Sequence, residues 1–485
     1  EKLLIECCLE LLQENLVAAM QDMGAAGVVS SSSEVAAKSG VGMVIDMDRI
    51  PLRESGMTPW EIALSESQER MLLVVEPPLV EEVVCRAQRW GLECTEIGVI
   101  TEERRYIYTE GGHVVVDLPP ELIGGNAPVI TWASRPPQDF EARGRLNPEA
   151  LVPPEDGDFG RELCALLGDP NLGSKEMVYE QYDSMVQTNT LLGPGGDVSV
   201  IRVPQARAHV AFSMEADPWK CFTDPFTGGA ETVARAVRAL AVCGATPLGL
   251  TDCLNFPSPE KPEQFWELQE VLKGMAEACK VLTCPVVSGN VSLYNESPSG
   301  RILPTPVVVA AGVLPEDQPL LLGGRWCSGD RIFLVGPLQT SLGASRYVCQ
   351  RGNTPRGKPF PFSGNTEADF AQRARDTAKN SQAHSGRVLA GGGLAVALAK
   401  EVVTSGLGAR ISLPLPLQKD VLTLFGEGGP RALYAVAPEL VASFRHRWEG
   451  YPLTELGTVE GSRLQMEGVL DLSCDELFAA WRGNH

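Results

Sequence analysis

One pattern that occurs twice, far apart, constrains the fold of this chain more than any other feature. "MGAAGVVSSSSEVAAKSGVGMVIDM" (23–47) and "LAGGGLAVALAKEVVTSGLGARISL" (389–413) share a layout of small residues, a helix, and Gly-x-Gly before a strand. Downstream, "SESQERMLLVV" (65–75) parallels "GEGGPRALYAV" (426–436). Two parallels in the same order indicate a duplicated module. Their period is far too long for a solenoid, so we expect duplication of a whole domain.

The rest of the chain divides around these two copies. A length of 485 residues predicts about three domains. We expect a first domain at 1–130, a Pro-rich linker or wrapped loop segment at 131–154, a second domain of different type at 155–315, and the second copy at 316–485. Helical and strand patterns alternate through all three domains, which predicts an α/β fold of the α+β type.

Local patterns predict several individual elements. The first 23 residues carry apolar side chains at helical spacing, and we expect one helix to Met23. Gly111 and Gly112 lie between two strand patterns and predict a hairpin. In the second domain a helix should stop at Gly244 in a left-handed cap, followed by a strand that ends near Asp252.

Composition excludes several classes of protein. A formal charge of −21 argues against a nucleic-acid surface, because a polyanion would be repelled. No apolar run approaches the roughly 20 residues that a bilayer requires. The 13 cysteines lack CxxC spacing and lie mostly in apolar runs, which favours reduced thiols in the cytoplasm. We therefore expect a cytoplasmic globular protein.

Polar clusters at predicted element ends are the candidate functional residues of the first domain. Ser31 and Glu34, in a run of four serines, have the spacing of a capping box, which predicts a helix start there. Glu66, Ser67 and Gln68 lie at the entry to a strand, where such clusters are usually solvated turns. Amide, hydroxyl and carboxylate groups together could also hold a polar substrate such as an amide-bearing ribonucleotide.

A second group of candidates lies in the second domain. Asp252 ends one strand, and Gly289 and Asn290 end another, with Ser292 following closely. Oxygen ligands of this kind suit Mg²⁺, which bridges to phosphates. The stretch "GPGGD" (193–197) is either a backbone nest for phosphate or a tight turn.

Five long motifs carry a resemblance to a known family. They are "DMGAAGVVSSSSEVAAKSGVG", "PLRESGMTPWEIALSESQERML", "YEQYDSMVQTNTLLGPGGD", "TDCLNFPSPEKPEQFW" and "PVVSGNVSLYNES". Over nearly its whole length the chain resembles the small bacterial synthetase subunit of phosphoribosylformylglycinamidine synthase. The resemblance implies the aminoimidazole ribonucleotide synthetase-like fold, with A-type and B-type domains in duplicated order, present in this chain as B–A–B.

The same resemblance implies an activity and its partners. The family uses ATP, Mg²⁺ and ammonia to convert formylglycinamide ribonucleotide to formylglycinamidine ribonucleotide in purine biosynthesis. Ammonia comes from a glutaminase subunit, and a small accessory subunit completes the complex. The family's first A-type domain, which carries the catalytic histidines, has no counterpart in these residues. We therefore expect no catalytic residue in this chain.

Site residues are implied position by position. Glu66, Ser67 and Gln68 correspond to the family's substrate-binding triplet, and Ser292 to a further substrate contact.

The resemblance also implies nucleotide and metal contacts. Asp252 and Gly289 correspond to ATP-site residues, whereas Asp22 and Asn290 correspond to Mg²⁺ ligands.

The second copy of the module departs from the pattern of the first. "GEGGPR" lacks the Ser-Gln of "SESQER", so we expect a degenerate site there that serves packing rather than turnover. Two other functions stay open: a fragment that binds nucleotide and Mg²⁺ without turnover, and an enzyme similar to aminoimidazole ribonucleotide synthetase.

Overall fold

The chain folds into two compact units, residues 1–131 and 132–485. The computed structural model describes residues 1–125, 128–146, 157–352, 354–414 and 417–483. The later part of the Pro-rich segment, from residue 147 onward, lies outside the described residues.

The first unit mixes short helices with two small sheets. Its helices are α1 (Lys2–Gln13), α2 (Gly27–Ser39), α3 (Pro59–Leu64), α4 (Val80–Arg89) and α5 (Glu121–Gly124). Its strands are β1 (Ala19–Asp22), β2 (Gly42–Asp46), β3 (Met71–Val74), β4 (Gly98–Thr101), β5 (Tyr106–Glu110) and β6 (His113–Leu118). Strand β1 pairs with β3, and the other four form a sheet in the order β4-β2-β5-β6.

The expectation of one helix to Met23 is wrong. Helix α1 buries Cys7 and Leu11 against Val83 of α4, as its apolar spacing requires, but it ends at Gln13. Asn15 then adopts a positive φ of 55°, a left-handed conformation that a helix cannot continue through. The residues that follow are extended and pair with β3, because pairing satisfies their backbone groups.

The predicted hairpin is confirmed. Strands β5 and β6 are antiparallel and are joined by Gly111 and Gly112, with φ of 53° and 78°. Two left-handed residues in succession match the right-handed twist of the flanking strands, and glycine adopts that conformation without strain.

The second unit is larger and has two main sheets. Its helices are α6 (Phe140–Arg143), α7 (Phe159–Leu167), α8 (Glu176–Tyr179), α9 (Pro218–Thr223), α10 (Pro225–Cys243), α11 (Pro262–Leu282), α12 (Arg346–Gly352), α13 (Gly364–Lys379), α14 (Gly393–Ser405), α15 (Val421–Phe425), α16 (Val441–Arg447) and α17 (Cys474–Arg482). Its strands are β7 (Thr190–Leu192), β8 (Ser199–Val203), β9 (Ala208–Ala216), β10 (Thr246–Asn255), β11 (Val286–Ser292), β12 (Glu296–Ser297), β13 (Gly300–Arg301), β14 (Thr305–Pro315), β15 (Arg331–Val335), β16 (Ser385–Val388), β17 (Ala409–Ile411), β18 (Ala432–Val436), β19 (Leu453–Val459), β20 (Arg463–Met466) and β21 (Leu470–Ser473).

A six-stranded sheet in the order β11-β10-β14-β9-β8-β7 carries the second group of candidate residues. Helix α10 packs on this sheet and is buried over almost its whole length, since its small residues let neighbouring elements approach closely. It ends at Gly244, whose φ of 99° confirms the predicted left-handed cap. Strand β10 follows directly and pairs in parallel with the edge strand β11.

The described part of the Pro-rich segment wraps onto helix α11. The Trp132 ring meets Phe265 edge-on at 5.5 Å, and Phe140 meets Trp266 in the same way at 5.0 Å. These contacts assign residues 132–146 to the second unit as a packed segment rather than a free tether.

A seven-stranded sheet, β16-β18-β15-β19-β17-β20-β21, repeats the topology of the first unit. Strand β16 pairs with β18 just as β1 pairs with β3, with Val388 opposite Ala432 as Asp22 is opposite Met71. Strand β17 pairs antiparallel with β19 and parallel with β20, as β2 does with β4 and β5. The duplication inferred from sequence is therefore a duplication of structure.

Candidate functional site

Asp22 lies at the end of strand β1, beside the polar segment Ser65–Arg70. It pairs with Met71, the first residue of β3, and the next N–H, that of Met23, donates to the Arg70 carbonyl at 3.1 Å. The pairing therefore brings Asp22 next to a segment that is more than forty positions away in the sequence. The sequence predicted both as site residues but gave no sign that they meet.

The start of helix α2 faces the same segment. The Ala26 N–H donates to a Glu66 carboxylate oxygen at 2.9 Å, so Glu66 neutralises part of the positive end of the helix dipole. Gly27 follows with φ of 52°, and a Cβ placed there would lie 2.1 Å from the Ser65 carbonyl oxygen. Only glycine permits this approach of helix to segment.

Arg70 holds the segment from its other side. Its guanidinium donates to the Ser67 carbonyl at 3.2 Å through Nε and to the Ser65 carbonyl at 2.5 Å through Nη2. Burial lowers the pKa of Arg70. The two carbonyls flank Glu66, so one side chain fixes both ends of the turn. Arg70 belongs to the polar run "SESQER", but sequence reasoning did not assign it this role of holding the backbone.

The side chains of Ser67 and Gln68 are left free by this arrangement. Both are exposed, and neither side chain forms a hydrogen bond with another described residue. Asp22 accepts a hydrogen bond from the Gln21 side chain at 2.9 Å and has no Lys or Arg partner among the described residues. A rigid backbone therefore presents a hydroxyl, an amide and a carboxylate at one end of the β1–β3 pair.

The prediction of a capping box at Ser31 and Glu34 is wrong. Helix α2 already begins at Gly27, so both residues lie inside it. The Ser31 hydroxyl donates back to the carbonyls of Gly27 and Val28, and Glu34 pairs with Lys38 one turn on. The helix starts earlier than predicted because Glu66, distant in sequence, supplies the cap that Ser31 was expected to supply.

Three of the four serines instead lie in the interior of the first unit, where Ser32 contacts the sheet. Ser31, Ser32 and Ser33 are buried, and the Ser32 hydroxyl lies 2.6 Å from the Tyr106 hydroxyl. Burial raises the pKa of Tyr106 far above its usual range, so the phenol stays protonated and can donate. The run is a structural feature of the interior.

In the second unit, Asp252 and Gly289 form a side-by-side pair on the parallel strands β10 and β11. A Cβ placed on Gly289 would lie 2.2 Å from the Asp252 Oδ1 atom, so the carboxylate occupies the space that any other residue would fill. Burial raises the pKa of Asp252, and no Lys or Arg of the described residues forms an ion pair with it. This carboxylate is available to a cation or a hydrogen-bond donor.

Asn290 and Ser292 lie on the same strand as Gly289. Side chains alternate along a strand, so these two share the face opposite the Asp252–Gly289 pair. Asn290 is exposed, whereas Ser292 is held by Asn295, whose side-chain amide donates to the Ser292 hydroxyl at 3.1 Å and to its carbonyl at 2.9 Å. The structure thus places the four residues on one strand pair but on two faces of it.

The stretch 193–197 forms a turn that is tied to the second copy of the module. The Asp197 carboxylate accepts from the Val388 N–H at 3.1 Å and lies 3.5 Å from the Arg387 guanidinium. Its carboxylate is therefore already engaged by neighbouring residues.

The second copy of the module repeats the geometry around Glu66. Glu427 accepts from the Gly392 N–H at 2.8 Å, and Arg431 donates to the carbonyls of Gly426 at 2.5 Å and Gly428 at 3.2 Å. A Cβ on Gly393 would lie 2.6 Å from the Gly426 carbonyl oxygen.

The environment of the Glu427 carboxylate differs from that of the Glu66 carboxylate. Glu427 is buried and ion-paired to Lys220 at 3.1 Å, and Lys220 also pairs with Asp217 at 2.7 Å. The position matched to Asp22 is Val388, which has no oxygen ligand in its side chain. The chain's own ammonium group satisfies the carboxylates here, whereas the first copy leaves its polar groups open.

Within the residues that the structure describes, none of the helices combines the length and apolar character needed to cross a membrane.

Two family models match the chain. Residues 1–109 match the C-terminal domain of AIR synthase related proteins, and residues 195–314 match the N-terminal domain of the same proteins. The first match covers the unit that holds Asp22 and the Glu66 segment, and the second covers the sheet that holds Asp252 and Gly289. The fold and the two family matches together define the class as that of AIR synthase related proteins.

Curated relatives narrow the class to one family. The chain is 42% identical over 488 residues to phosphoribosylformylglycinamidine synthase subunit PurL of Moorella thermoacetica and 40% identical over 486 residues to that of Bartonella tribocorum, covering 99% of this chain in both cases. The chain belongs to the PurL family. It spans 66% and 65% of the length of these two relatives.

Solved structures of PurL proteins are similar to this chain as well. Thermotoga maritima PurL complexed with ATP is 25% identical with a TM-score of 0.63, and the match covers 95% of this chain and 66% of that one. PurLQS from Thermotoga maritima has a TM-score of 0.64 at 25% identity, and the match covers 95% of this chain and 67% of that one. The expected fold, with AIR synthase-type domains in duplicated B–A–B order, is confirmed.

Proposed function

We propose that this chain belongs to an ATP-dependent ligase of purine biosynthesis, which converts formylglycinamide ribonucleotide and ammonia to formylglycinamidine ribonucleotide, ADP and phosphate. One observation carries the proposal: Asp22 and the Glu66–Gln68 segment meet at one end of the β1–β3 pair, in a chain 42% identical to a PurL subunit. A Thermotoga maritima PurL has been solved with FGAR, the substrate of this reaction.

In this proposal the first unit holds the ribonucleotide. Ser67 and Gln68 offer an exposed hydroxyl and an exposed amide, which match the polar groups of the substrate. Glu66 contributes from a fixed position, because the Ala26 N–H holds its carboxylate and Arg70 holds the flanking carbonyls of Ser65 and Ser67. Orientation of this kind supplies a large part of the rate in reactions between two bound groups. We also propose Ser292, on strand β11, as a substrate contact.

Nucleotide contacts are proposed on the strand pair of the second unit, and Mg²⁺ ligands are proposed in each unit separately. ATP and ADP complexes of Thermotoga maritima PurL support nucleotide binding. The proposed ligands fit Mg²⁺: Asp22 is a carboxylate without a cationic partner among the described residues, and Asn290 offers an exposed amide oxygen. Mg²⁺ supplies charge neutralisation on the phosphates when it is bound. Asp252 and Gly289 are proposed to contact ATP.

The partners follow from the family. The solved PurLQS assembly supports a complex with further subunits, and we propose that these are a glutaminase, which supplies ammonia, and a small accessory subunit. We also propose a cytoplasmic location.

The decisive experiment measures product formation. The chain, joined to the segment that its relatives carry beyond the matched residues, is assayed with formylglycinamide ribonucleotide, ATP, Mg²⁺ and ammonia. We expect ATP-dependent product, lost in Gln68→Ala and retained in Lys379→Met, a change at an exposed lysine of α13. No product with this extended protein would refute the proposal. Product from the substrate of aminoimidazole ribonucleotide synthetase instead would favour the related enzyme.

A second candidate, nucleotide binding without turnover, is favoured by the position of Asp252 and Gly289 wholly inside the second unit. Calorimetry of this chain with Mg²⁺ and ADP tests it. Binding without product in the completed protein would support it, and no binding would exclude it.

A further inference from the structure

Three side chains of different chemistry meet at the surface of the second unit, and none of them belongs to the sites described above. They are Cys327, Asp330 and His384. A sulfur, a carboxylate oxygen and a ring nitrogen from these residues all lie within 4.8 Å of one another. We call this set the Cys–Asp–His cluster.

The backbone of the large sheet holds the cluster in place. Asp330 directly precedes β15, and its carbonyl accepts from the Val459 N–H at 2.9 Å. His384 directly precedes β16, and its N–H donates to the Ala435 carbonyl at 2.8 Å. Cys327 lies in the turn before Asp330, where its N–H donates to the Asp330 carboxylate at 3.0 Å. Ligands anchored by strands are held more precisely than ligands on free loops.

Charge and exposure suit a bound cation. The Asp330 side chain is only 2% exposed, and among the described residues its one ion-pair partner is the His384 ring, whose Nδ1 lies 3.0 and 3.1 Å from its two oxygens. A buried carboxylate without a Lys or Arg partner is costly unless a cation or several donors compensate it. His384 is 41% exposed and Cys327 is exposed, so an ion can enter from solvent.

The donor set indicates which cation. Nitrogen, thiolate sulfur and carboxylate oxygen together are typical of Zn²⁺, whereas Mg²⁺ prefers oxygen alone. Cys327 and Asp330 are separated by two residues, the same spacing as the paired ligands of many zinc turns. Three protein ligands leave the fourth tetrahedral position open to water.

The cluster is not part of the duplicated module. The pairing of β1 and β16 with their partner strands matches His384 to Ala18, which has no ligand atom in its side chain. The shared architecture of the two copies therefore does not account for His384 at this position.

We propose that the Cys–Asp–His cluster is a surface site for a divalent transition metal, with Zn²⁺ as the preferred ion. The Cys327 thiolate, the Asp330 carboxylate and the His384 imidazole are its ligands. The site is independent of the proposed ligase function.

Cobalt titration tests the site directly. The metal-free protein, prepared by dialysis against a chelator, is titrated with Co²⁺, and the thiolate-to-cobalt charge-transfer band in the near ultraviolet is recorded. We expect one equivalent to bind, Zn²⁺ to displace it, and excess Mg²⁺ to leave the band unchanged. We also expect Zn²⁺ to raise the Tm, because the ion binds the folded state.

Variants distinguish this site from other thiols. Cys327→Ser should abolish the band. Loss of a residue that only supports a metal ligand weakens binding roughly 10- to 100-fold. His384→Gln removes a ligand itself, so we expect it to weaken binding by more than that. Cys85→Ser removes another exposed cysteine and should leave the band intact. Both cluster variants are at exposed side chains, and circular dichroism verifies their folding. Absence of the band in the unaltered protein, or its persistence in Cys327→Ser, would overturn the proposal.

Discussion

The Ala26 N–H donates to the Glu66 carboxylate at 2.9 Å, which ties the first helix of the duplicated module to a segment forty residues further along the chain. The second copy makes the same bond from Gly392 to Glu427 at 2.8 Å. In both copies a left-handed residue precedes the helix, so its first N–H groups point at an acid from the strand entry. The two copies differ in what surrounds that acid.

Removal of the Glu66 carboxylate should loosen the start of helix α2. Glu66→Ala leaves the Ala26 N–H without its partner, and we expect the free energy of unfolding of the first unit to fall by about 1 kcal/mol, the usual value of a helix cap. Amide hydrogen exchange at residues 26–30 and thermal unfolding measure the effect. Glu76→Ala removes an exposed acid that makes no side-chain hydrogen bond with described residues and should change neither.

Arg70 should behave as a clamp on the candidate substrate segment. Arg70→Met leaves the carbonyls of Ser65 and Ser67 without their donor, and we expect faster hydrogen exchange across residues 65–70 and a loss of about 1–3 kcal/mol in unfolding free energy. Arg53→Met, at an exposed arginine, is the matched control. Equal exchange rates in the two variants would contradict the clamp.

Gly289→Ala should displace the Asp252 carboxylate. The new methyl group would lie 2.2 Å from the Asp252 Oδ1 atom, so the carboxylate must move. If Asp252 binds nucleotide, we expect Mg²⁺–ADP affinity measured by calorimetry to fall at least about tenfold, which corresponds to about 1.4 kcal/mol. Stability should change little, since β11 is an exposed edge strand. Ser288→Ala, next to it, should keep full affinity.

Substitution of Lys220 should lower the free energy of unfolding more than substitution of an exposed lysine. Burial alone would raise the pKa of Asp217, but Lys220, Arg346 and Arg235 together hold that pKa well below its usual range. Lys220→Met leaves Asp217 and Glu427 short of a cation, and loss of one partner of a buried pair costs about 3–5 kcal/mol. Lys261→Met breaks the exposed pair with Glu296, for which we expect a much smaller change in unfolding free energy. Urea unfolding compares the two.

Lys400 should make stability depend on alkaline pH. Burial, with a contribution from Arg387, lowers the pKa of its ammonium group from 10.5 to about 8. Between these two values the unfolded chain binds a proton that the folded chain does not, so this group's contribution to stability rises with pH from about 8 to about 10.5. Below about pH 8 both states are protonated and the full cost of burial persists.

The Lys400→Met variant isolates this contribution from other titrating groups. The difference in unfolding free energy, wild type minus variant, should be flat below about pH 8 and rise toward pH 10.5. Lys379→Met, at an exposed lysine, should show no such slope. A difference that stays flat over the whole range would contradict the lowered pKa of Lys400.

The sequence by itself determined the duplication, the mixed α/β class and the ends of several elements. Helix α10 with its cap at Gly244, the hairpin at Gly111 and Gly112, and the strands that carry Asp252 and Gly289 were all expected from local patterns. Such features depend on residues close together in the chain, whose periodicity, turn chemistry and glycine content are visible in the sequence.

Only the tertiary structure decided how the candidate residues are used. Asp22 ends a strand rather than a helix because pairing with β3 outweighs helical spacing, and the serine run lies inside a helix because Glu66 caps it from a distance. Lys220 neutralises Glu427 across 207 positions of sequence. These contacts form between segments that only the fold brings together, and the free energy of such pairing has no local signature in the chain.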